Sequence, residues 1–314
     1  MLVLLALTAC GDDSPAPEKA QRPVPPPKGP PAVRLAGFPN GPVIGLSDNR
    51  PETLTDPRFK ATGIKRVRKT VPFDEVKEGG ERLPRLDEWF ENARKTGVEP
   101  LVSFYRSEKD KTLLPTVEEF RAHFRRFRER YPWVKLFSTW NEANFADAQP
   151  TGRDPARTAR FYRVAREECE HECTVLTADF RADGGPESER WLEEFKRGIG
   201  PGPHIWGLVS YPDVNRRTDA RTRAFLDETE GDVWVVEVGA IHFFGRGVRP
   251  SIPRQTKVMR YLVDEYPGVS KRLKRIYVYH WQASPTDRLF DSGLISADGV
   301  PRPAYEVFTS AIRK

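Results

Sequence analysis

Short β-branched runs alternate with amphipathic segments along most of the chain, and this alternation restricts the fold more than any other feature of the sequence. The eight runs are Val43–Ser47, Ile64–Thr70, Pro100–Phe104, Val134–Thr139, Thr174–Ala178, Ile205–Tyr211, Val233–Val238 and Ile276–Trp281. Strands joined through helices lie parallel and have right-handed crossovers. Eight such units in about 250 residues predict an α/β fold, a single (β/α)8 TIM barrel.

Helix signals between the runs support this prediction. Thr116–Arg130 opens on a capping box and repeats large apolar residues at helical spacing. Another helix is expected to begin at Asp154, which is followed by proline at the first helical position, and Ala304–Ile312 supplies the last helix. The helix expected between the first two strands is the least clearly predicted, since Asp56–Ala61 can hold only a turn or two of helix.

An open doubly wound sheet is the main alternative to the barrel. Such a sheet is expected to carry a glycine-rich turn after its first strand, where it binds a dinucleotide. Gly45–Asn49 contains no G-x-G-x-x-G pattern. The barrel is therefore favoured, with its active site at the C-terminal ends of the strands.

Two carboxylates stand out among the polar residues at those strand ends. Glu237 interrupts the apolar run Val233–Val238, and Glu142 directly follows Leu136–Asn141. A buried carboxylate is strongly disfavoured without a partner, so each could simply pair with an arginine at the rim. Two of them, on the fourth and seventh strands and hence across the mouth from one another, favour catalysis.

The ordered set of residues at the strand ends resembles a known group of enzymes. Trp140–Glu142 ends the fourth strand, Glu237 lies near the end of the seventh, Tyr211 follows the sixth and Trp281 follows the eighth. This set resembles clan A glycoside hydrolases, the retaining barrels that include cellulase-type and β-xylosidase-type enzymes. The segment Gly293–Tyr305 also resembles the one that closes many of these barrels.

The resemblance implies a role for each residue at the centre of the site. Glu142 is expected to be the acid/base and Glu237 the nucleophile, with Asn141 contacting the 2-hydroxyl of the sugar. Arg68 is expected to hydrogen-bond Glu237 and keep it ionised, because a nearby cation lowers the pKa of a carboxylate. Arg66 is the alternative for this role, since it lies on the same face of the strand.

Further residues are expected to complete the sugar site. Tyr211 is expected to donate to Glu237, and Trp281 to form the floor on which an apolar sugar face stacks. Core packing is the alternative for Trp281. Asp48 and Asp179 are candidates for binding sugar hydroxyls, although Asp is more often used in turns and caps.

The chain also departs from the pattern that it resembles. Many relatives place a histidine two residues before the tyrosine of the sixth strand, where this chain has Val209. Val236 and Val238 flank Glu237 at positions where hydroxyl-bearing residues are common. These differences leave both carboxylates in place and change the expected substrate subsites.

The expected activity is glycosidase action by two carboxylates. It is a retaining double displacement that cleaves a glycosidic bond, expected to be β-linked, in a poly- or oligosaccharide without a cofactor or metal. One alternative is a metal-dependent barrel using Glu142, Asp179, His204 and Glu237. The other is a catalytically silent carbohydrate-binding envelope lipoprotein, which fold similarity alone does not exclude.

The N-terminus predicts export and anchoring. Residues 1–9 are an apolar run that ends in small residues before Cys10, which resembles a bacterial lipoprotein signal with Cys10 as the lipidated residue. Residues 11–39 are rich in proline and are expected to be a linker, which leaves 40–314 as the barrel. The expected location is the outer face of the cytoplasmic membrane, or outside the cell if the signal is an ordinary cleaved one.

The two remaining cysteines predict a disulfide. Cys169 and Cys173 are close together in an exported chain, so a bond between them would staple the end of a helix to the next strand. The alternative is a metal site that includes His171, but a zinc site needs a second ligand cluster.

The net charge of +6 does not indicate a nucleic-acid partner. Basic residues are mixed with acidic ones, as in Arg125–Arg130, which is typical of a solvated helix face. The expected partners are a carbohydrate substrate and, through the lipid anchor alone, a membrane. The protein is expected to be a monomer.

Overall fold

A computed structural model describes residues 30–80 and 82–312. Its strands are β1 Val43–Ser47, β2 Arg66–Pro72, β3 Glu99–Tyr105, β4 Leu136–Ser138, β5 Thr174–Leu176, β6 Asp179–Arg181, β7 His204–Val209, β8 Gly231–Val238, β9 Phe243–Phe244, β10 Leu273–Tyr279 and β11 Phe290–Asp291. Its α-helices are α1 Pro51–Thr55, α2 Pro57–Ala61, α3 Glu75–Glu78, α4 Leu83–Thr96, α5 Val117–Arg130, α6 Pro155–Cys169, α7 Pro186–Ile199, α8 Tyr211–Arg216, α9 Ala220–Glu228, α10 Ile252–Asp264 and α11 Pro303–Ile312.

The parallel strands form a barrel. The strand order is β5-β4-β3-β2-β1-β10-β8-β7-β6. β5 and β6 follow one another directly and together make the fifth barrel strand. Between them, the backbone N–H of Thr177 donates to Ile205 at 2.9 Å on one side, and that of Asp179 donates to Trp140 at 2.8 Å on the other. The two ends of the sheet are thereby joined, and the predicted TIM barrel is confirmed.

The helices begin where the sequence predicts. The side chain of Thr116 accepts from the backbone of Glu119 and the Glu119 carboxylate accepts in return, which is the expected capping box of α5. Asp154 caps α6 through the backbone N–H of Arg157. These side chains satisfy N–H groups that the helix itself cannot pair.

The apolar residues form two separate cores. The larger core lies between the strands and the helices, where the inner face of each amphipathic helix is buried. The smaller core fills the interior of the barrel with inward-facing strand residues: Leu101, Leu136, Leu176, Val209, Trp234, Val236 and Tyr277. Inward-facing side chains fill barrels of eight strands in this way, so the interior is packed and ligands meet the barrel only at its ends.

Charged residues and the N-terminal segment close the bottom of the barrel, where the strands begin. Arg66 and Arg275 both contact the Glu99 carboxylate at 3.1 Å. Arg66 also donates to the carbonyls of Pro30 and Pro31. Leu35 is buried in the core. Contacts with the barrel therefore begin before residue 40, inside the stretch 11–39 that was predicted to be a linker.

The predicted disulfide is present. Cys169, the last residue of α6, is bonded to Cys173, with their Cα atoms 5.5 Å apart. The turn between them contains Glu170 and His171, both with positive φ. The bond therefore connects the end of a helix to the start of β5, as expected from the spacing.

The arginines of α5 are paired with acidic residues. Arg121 and Arg125 both contact Glu168, and Arg128 contacts Glu172 at 2.9 Å. This helix face is a mixed-charge surface rather than a basic stripe. Within the described residues, no helix combines the length and apolar composition that crossing a bilayer requires.

Candidate active site

The two carboxylates singled out in the sequence lie at the same end of the barrel. Glu237 is the penultimate residue of β8, and Glu142 follows the end of β4 by four residues. Because all barrel strands are parallel, both residues belong to the mouth formed by the C-terminal strand ends. Each lies at a strand end for which the sequence predicted catalysis.

Arg68 lies at the centre of the mouth. Its side chain is completely buried, and its guanidinium donates to Glu237 at 2.6 Å, to Asp179 at 2.6 Å and to Asn141 at 2.5 Å. Further bonds reach the hydroxyl of Ser103. A buried cation with two carboxylate partners stays charged, and both neighbours raise its pKa although burial alone would lower it.

The carboxylate of Glu237 accepts hydrogen bonds from two side chains and is partly exposed to solvent. One carboxylate oxygen accepts from Arg68, and the other accepts from the hydroxyl of Tyr211 at 3.0 Å. The side chain is 16% exposed. A carboxylate that is fixed by two donors and still reached from the mouth is suited to attack a bound electrophile.

Glu142 has a different environment. It is only partly exposed, and no arginine or hydroxyl of the described residues donates to its carboxyl group. Burial and then the negative charge of Glu237 raise the pKa of Glu142 to about 7. A carboxyl group that keeps its proton near neutral pH can serve as a general acid.

The loop that carries Glu142 is tied to the neighbouring strand. The side chain of Asn144 accepts from the backbone N–H of Arg181 at 2.8 Å and donates to the Arg181 carbonyl at 2.9 Å. The guanidinium of Arg181 stacks on Phe145 at 3.8 Å. Glu142 itself has a φ of 45°, in the region that non-glycine residues rarely adopt. These contacts hold in place the loop from which the side chain of Glu142 extends.

Asn141 and Arg68 occupy the places implied by the sequence. The side-chain oxygen of Asn141 accepts from Arg68, which turns its amide nitrogen toward the other side. Arg66, the alternative to Arg68, lies at the bottom of the barrel and pairs with Glu99. The two arginines share a strand face, but only Arg68 is near enough to the strand end to reach Glu237.

Asp179 and Asp48 do not face the mouth as sugar ligands, and that expectation is corrected. Asp179 is fully buried and accepts from Arg68 and from Ser138. Asp48 is 5% exposed, and its two oxygens accept the backbone N–H groups of Arg50 and Trp281. Both carboxylates are occupied in holding the strand ends together.

The expectation that Trp281 forms the floor of the sugar site is also corrected. The indole is fully buried and packs edge-on against Phe59 and Tyr305, while its N–H donates to Asp56 at 2.9 Å. The indole belongs to the core between the barrel and the helices, and core packing was the alternative role given for Trp281 in the sequence. It offers no surface for a sugar ring.

Two aromatic residues near Glu237 were missed in the sequence. Tyr279 ends β10, and burial followed by the charge of Glu237 raises its pKa far above the ordinary range. Phe290 packs edge-on against Tyr211 at 5.3 Å between ring centres. The alternation of Tyr277 and Tyr279 could have indicated the first, whereas no periodic signal precedes Phe290.

The residues of the metal alternative do not converge. His204 is the first residue of β7, at the bottom of the barrel, where its ring nitrogens contact Tyr162 and the carbonyl of Gly200. Glu142 and Glu237 lie at the other end. Within the described residues, no group of three or more His, Cys, Asp and Glu side chains is arranged to hold a metal ion.

Solved structures with a similar fold are glycoside hydrolases. A psychrophilic family 10 endo-β-1,4-xylanase matches with a TM-score of 0.62 and 13% identity, over 87% of this chain and 98% of the xylanase. The endo-1,4-β-xylanase of Caldicellulosiruptor owensensis matches with a TM-score of 0.61 and 13% identity, over 88% and 99%. The fold is that of glycoside hydrolase barrels.

A third solved structure with a similar fold is named for a β-1,3 rather than a β-1,4 glycosidic linkage. The family 128 endo-β-1,3-glucanase of Amycolatopsis mediterranei matches with a TM-score of 0.54 and 11% identity, over 85% of this chain and 98% of the glucanase. Identities of this size show a shared fold alone. No protein-family model and no curated protein matches the sequence.

Proposed function

We propose that this protein is a retaining glycoside hydrolase that cleaves β-linked glycans. The observation that carries the proposal is the contrast between two carboxyl groups in one mouth. Glu237 is held by Arg68 and Tyr211, whereas Glu142 keeps its proton to about pH 7. Pairs of carboxyl groups with opposed environments divide the roles of acid and nucleophile in glycosidases.

The first chemical step uses both groups. An oxygen of Glu237 attacks the anomeric carbon, the bond from that carbon to the glycosidic oxygen breaks, and Glu142 gives its proton to the departing oxygen. A glycosyl ester on Glu237 and a free hydroxyl on the leaving sugar result. Arg68 and Tyr211 stabilise the attacking carboxylate and orient it.

The second step reverses the role of Glu142. Having lost its proton, Glu142 accepts one from a water molecule, and the oxygen of that water attacks the anomeric carbon while the ester bond to Glu237 breaks. The configuration of the sugar is retained after two inversions. In this proposal the amide nitrogen of Asn141 donates to the sugar hydroxyl next to the reacting carbon, which is supported by the bond that its side-chain oxygen accepts from Arg68.

The substrate class is proposed from the solved structures that share the fold. Two of the structures with a similar fold are an endo-β-1,4-xylanase and an endo-β-1,3-glucanase. We therefore propose a β-linked poly- or oligosaccharide as substrate, without a cofactor. The linkage is to be found by testing a panel of these polymers and their oligomers.

The test uses residues 30–314 as the wild type and three variants. Product release is measured by reducing-end assay and chromatography for the wild type, Glu237→Gln, Glu142→Ala and the matched control Glu306→Gln, an exposed glutamate of α11. We expect Glu237→Gln and Glu142→Ala each to lose at least about a thousandfold in kcat/KM. The control Glu306→Gln should equal the wild type. Azide should restore turnover of aryl glycosides by Glu142→Ala, because only deglycosylation then lacks a base.

Three results would count against the proposal. Wild-type turnover in Glu237→Gln would remove this carboxylate from the mechanism. An inverted anomer as first product, seen by proton NMR, would exclude retention. Binding of a glycan without release of any product would favour the catalytically silent carbohydrate-binding protein instead.

A further inference from the structure

Four aromatic side chains surround one side of the candidate active site. Phe290 of β11 lies against Tyr211, with ring centres 5.3 Å apart, against Phe244 of β9 at 5.8 Å and against Tyr279 at 6.1 Å. We call Tyr211, Phe244, Tyr279 and Phe290 the aromatic wall. Each of the four is only partly buried.

The aromatic wall adjoins the reacting carboxylate. The hydroxyl of Tyr211 donates to Glu237, and the charge of Glu237 acts on the phenol of Tyr279. Phe290 touches both tyrosine rings. Through Tyr211, the ring of Phe290 therefore lies one residue away from Glu237.

Two loops build the wall together. β9 belongs to the connection after β8, and β11 to the connection after β10, and they pair as a short antiparallel ribbon. Phe290 is opposite Phe244 in this ribbon, and Asp291 is opposite Phe243. A substrate at this side of the mouth would thus contact the loops that follow β8 and β10, the last two strands of the barrel.

The ribbon is fixed at its base. Arg302 donates to both oxygens of Asp291, at 2.9 and 2.7 Å, and one of them also accepts the N–H of Gly293. The N–H of Gly245 donates to the carbonyl of Leu289 at 2.8 Å. The ring of Phe290 is therefore held in position before any ligand arrives, which lowers the entropic cost of binding.

We propose that Phe290 is a substrate-binding residue whose ring, supported by Phe244, stacks on the C–H face of a sugar bound beside Glu237. The inference rests on the proposed function and adds the specificity of the site. Partly exposed aromatic rings next to a polar site bind groups that present one apolar face. A pyranose whose hydroxyls are mostly equatorial has such a face, formed by axial C–H bonds.

The proposal names the substrate class more narrowly. Sugars of gluco or xylo configuration present an unbroken C–H face and are accepted. A mannose-configured ring carries an axial hydroxyl on one face and is bound less well where that face meets the wall. The aromatic wall thereby selects among β-linked glycans that the carboxylates alone would not distinguish.

The test compares neighbouring residues of the same ribbon. Leu289 is 68% exposed and precedes Phe290, so Leu289→Ala is the matched control for a change in the ribbon. Phe290→Leu removes the flat ring and keeps apolar packing against Phe244, and Phe290→Tyr restores a ring. Each is measured for kcat and KM on the best glycan, and for glycan affinity by calorimetry in the Glu237→Gln background, which binds without turnover.

We expect Phe290→Leu to weaken glycan affinity about tenfold, the size of one aromatic stacking contact, mainly through KM. Phe290→Tyr should recover most of this loss, and Leu289→Ala should equal the wild type. Hydrolysis that depends on Glu237 but is equal in wild type and Phe290→Leu would overturn this inference and leave the proposed function standing. Hydrolysis that does not depend on Glu237 would overturn both.

Discussion

Arg68 joins most of the candidate site into one network. Its guanidinium contacts two carboxylates and an amide while its side chain is fully buried. A buried ion pair is a weak source of stability in itself, but breaking one leaves an uncompensated charge. The network therefore matters for the stability of the barrel as well as for the position of Glu237.

Removing the charge of Arg68 should be costly. Arg68→Met leaves Asp179 and Glu237 without their cation, so we expect the free energy of unfolding to fall by about 3 to 5 kcal/mol. Arg125→Met, which breaks a surface pair with Glu168, is the matched control and should leave the free energy of unfolding close to that of the wild type. Urea denaturation at pH 7 measures both. Equal losses in the two variants would contradict the assigned role.

The raised pKa of Glu142 predicts the pH dependence of activity. Below about pH 7 the group carries the proton that the leaving oxygen needs, and above it the proton is lost. We expect kcat/KM to decline with a basic limb near pH 7. A profile that stays flat to pH 9 would show that another group supplies the proton.

The same shift predicts how stability changes with pH. The pKa of Glu142 is about 7 in the folded protein and 4.5 in its ordinary state, so the unfolded chain loses this proton first as pH rises. Glu142 therefore lowers the free energy of unfolding progressively between pH 4.5 and 7. Glu142→Gln should stabilise the protein by about 3 kcal/mol at pH 8 and have little effect at pH 4. Thermal unfolding at both pH values tests the sign.

The sequence predicted the charged centre of the site better than its surroundings. Arg68 and Tyr211 make the contacts with Glu237 that were expected of them, and Arg68 also donates to Asn141, a contact that was not predicted. Period-two alternation shows which face a residue is on, but not which partner takes its hydrogen bonds. For that reason Asp48 could be placed at the rim without revealing that backbone N–H groups occupy it.

At the scale of elements, the strand boundaries explain the error at Trp281. The sequence extended the eighth barrel strand to this residue, whereas β10 ends at Tyr279. Beyond that point the chain leaves the barrel, and Trp281 packs against Phe59. Hydrophobic runs do not mark where a strand stops, so Trp281 rather than Tyr279 was assigned to the strand end.

The ribbon of β9 and β11 was also invisible in the sequence. Each strand has two residues, too few to show any alternation. Their pairing places Phe290 opposite Phe244, 46 residues earlier in the chain, a contact that the closed barrel creates. The regular strands, by contrast, could be predicted because each alternates with a helix of clear amphipathic pattern.

The disulfide should stabilise the end of α6. Closing a loop of about five residues removes a little chain entropy from the unfolded state, worth roughly 2 kcal/mol in the loop-entropy approximation. We expect the double variant Cys169→Ser with Cys173→Ser to lose about that much in free energy of unfolding. Mass spectrometry without reduction gives the native state of the pair, and two free thiols in protein from its own compartment would contradict the bond.

At the scale of the whole molecule, attachment through Cys10 remains a prediction, and this residue lies outside the described part of the chain. With the native start, we expect the wild type to sediment with membranes and Cys10→Ala to be released into the soluble fraction. Ser14→Ala is the matched control and should behave as the wild type does. Unchanged membrane association of Cys10→Ala would show that no lipid is attached there.

The chain joins the barrel at the face opposite the carboxylates, where Arg66 contacts the carbonyl of Pro31. From Cys10 to Pro30 is 30 − 10 = 20 residues, which can span at most about 70 Å when fully extended. If the lipid is attached as predicted, the tether meets the barrel at its base, the end opposite the mouth. The protein would then work within a fixed radius of the surface that holds it, and would reach only glycans that come within that radius.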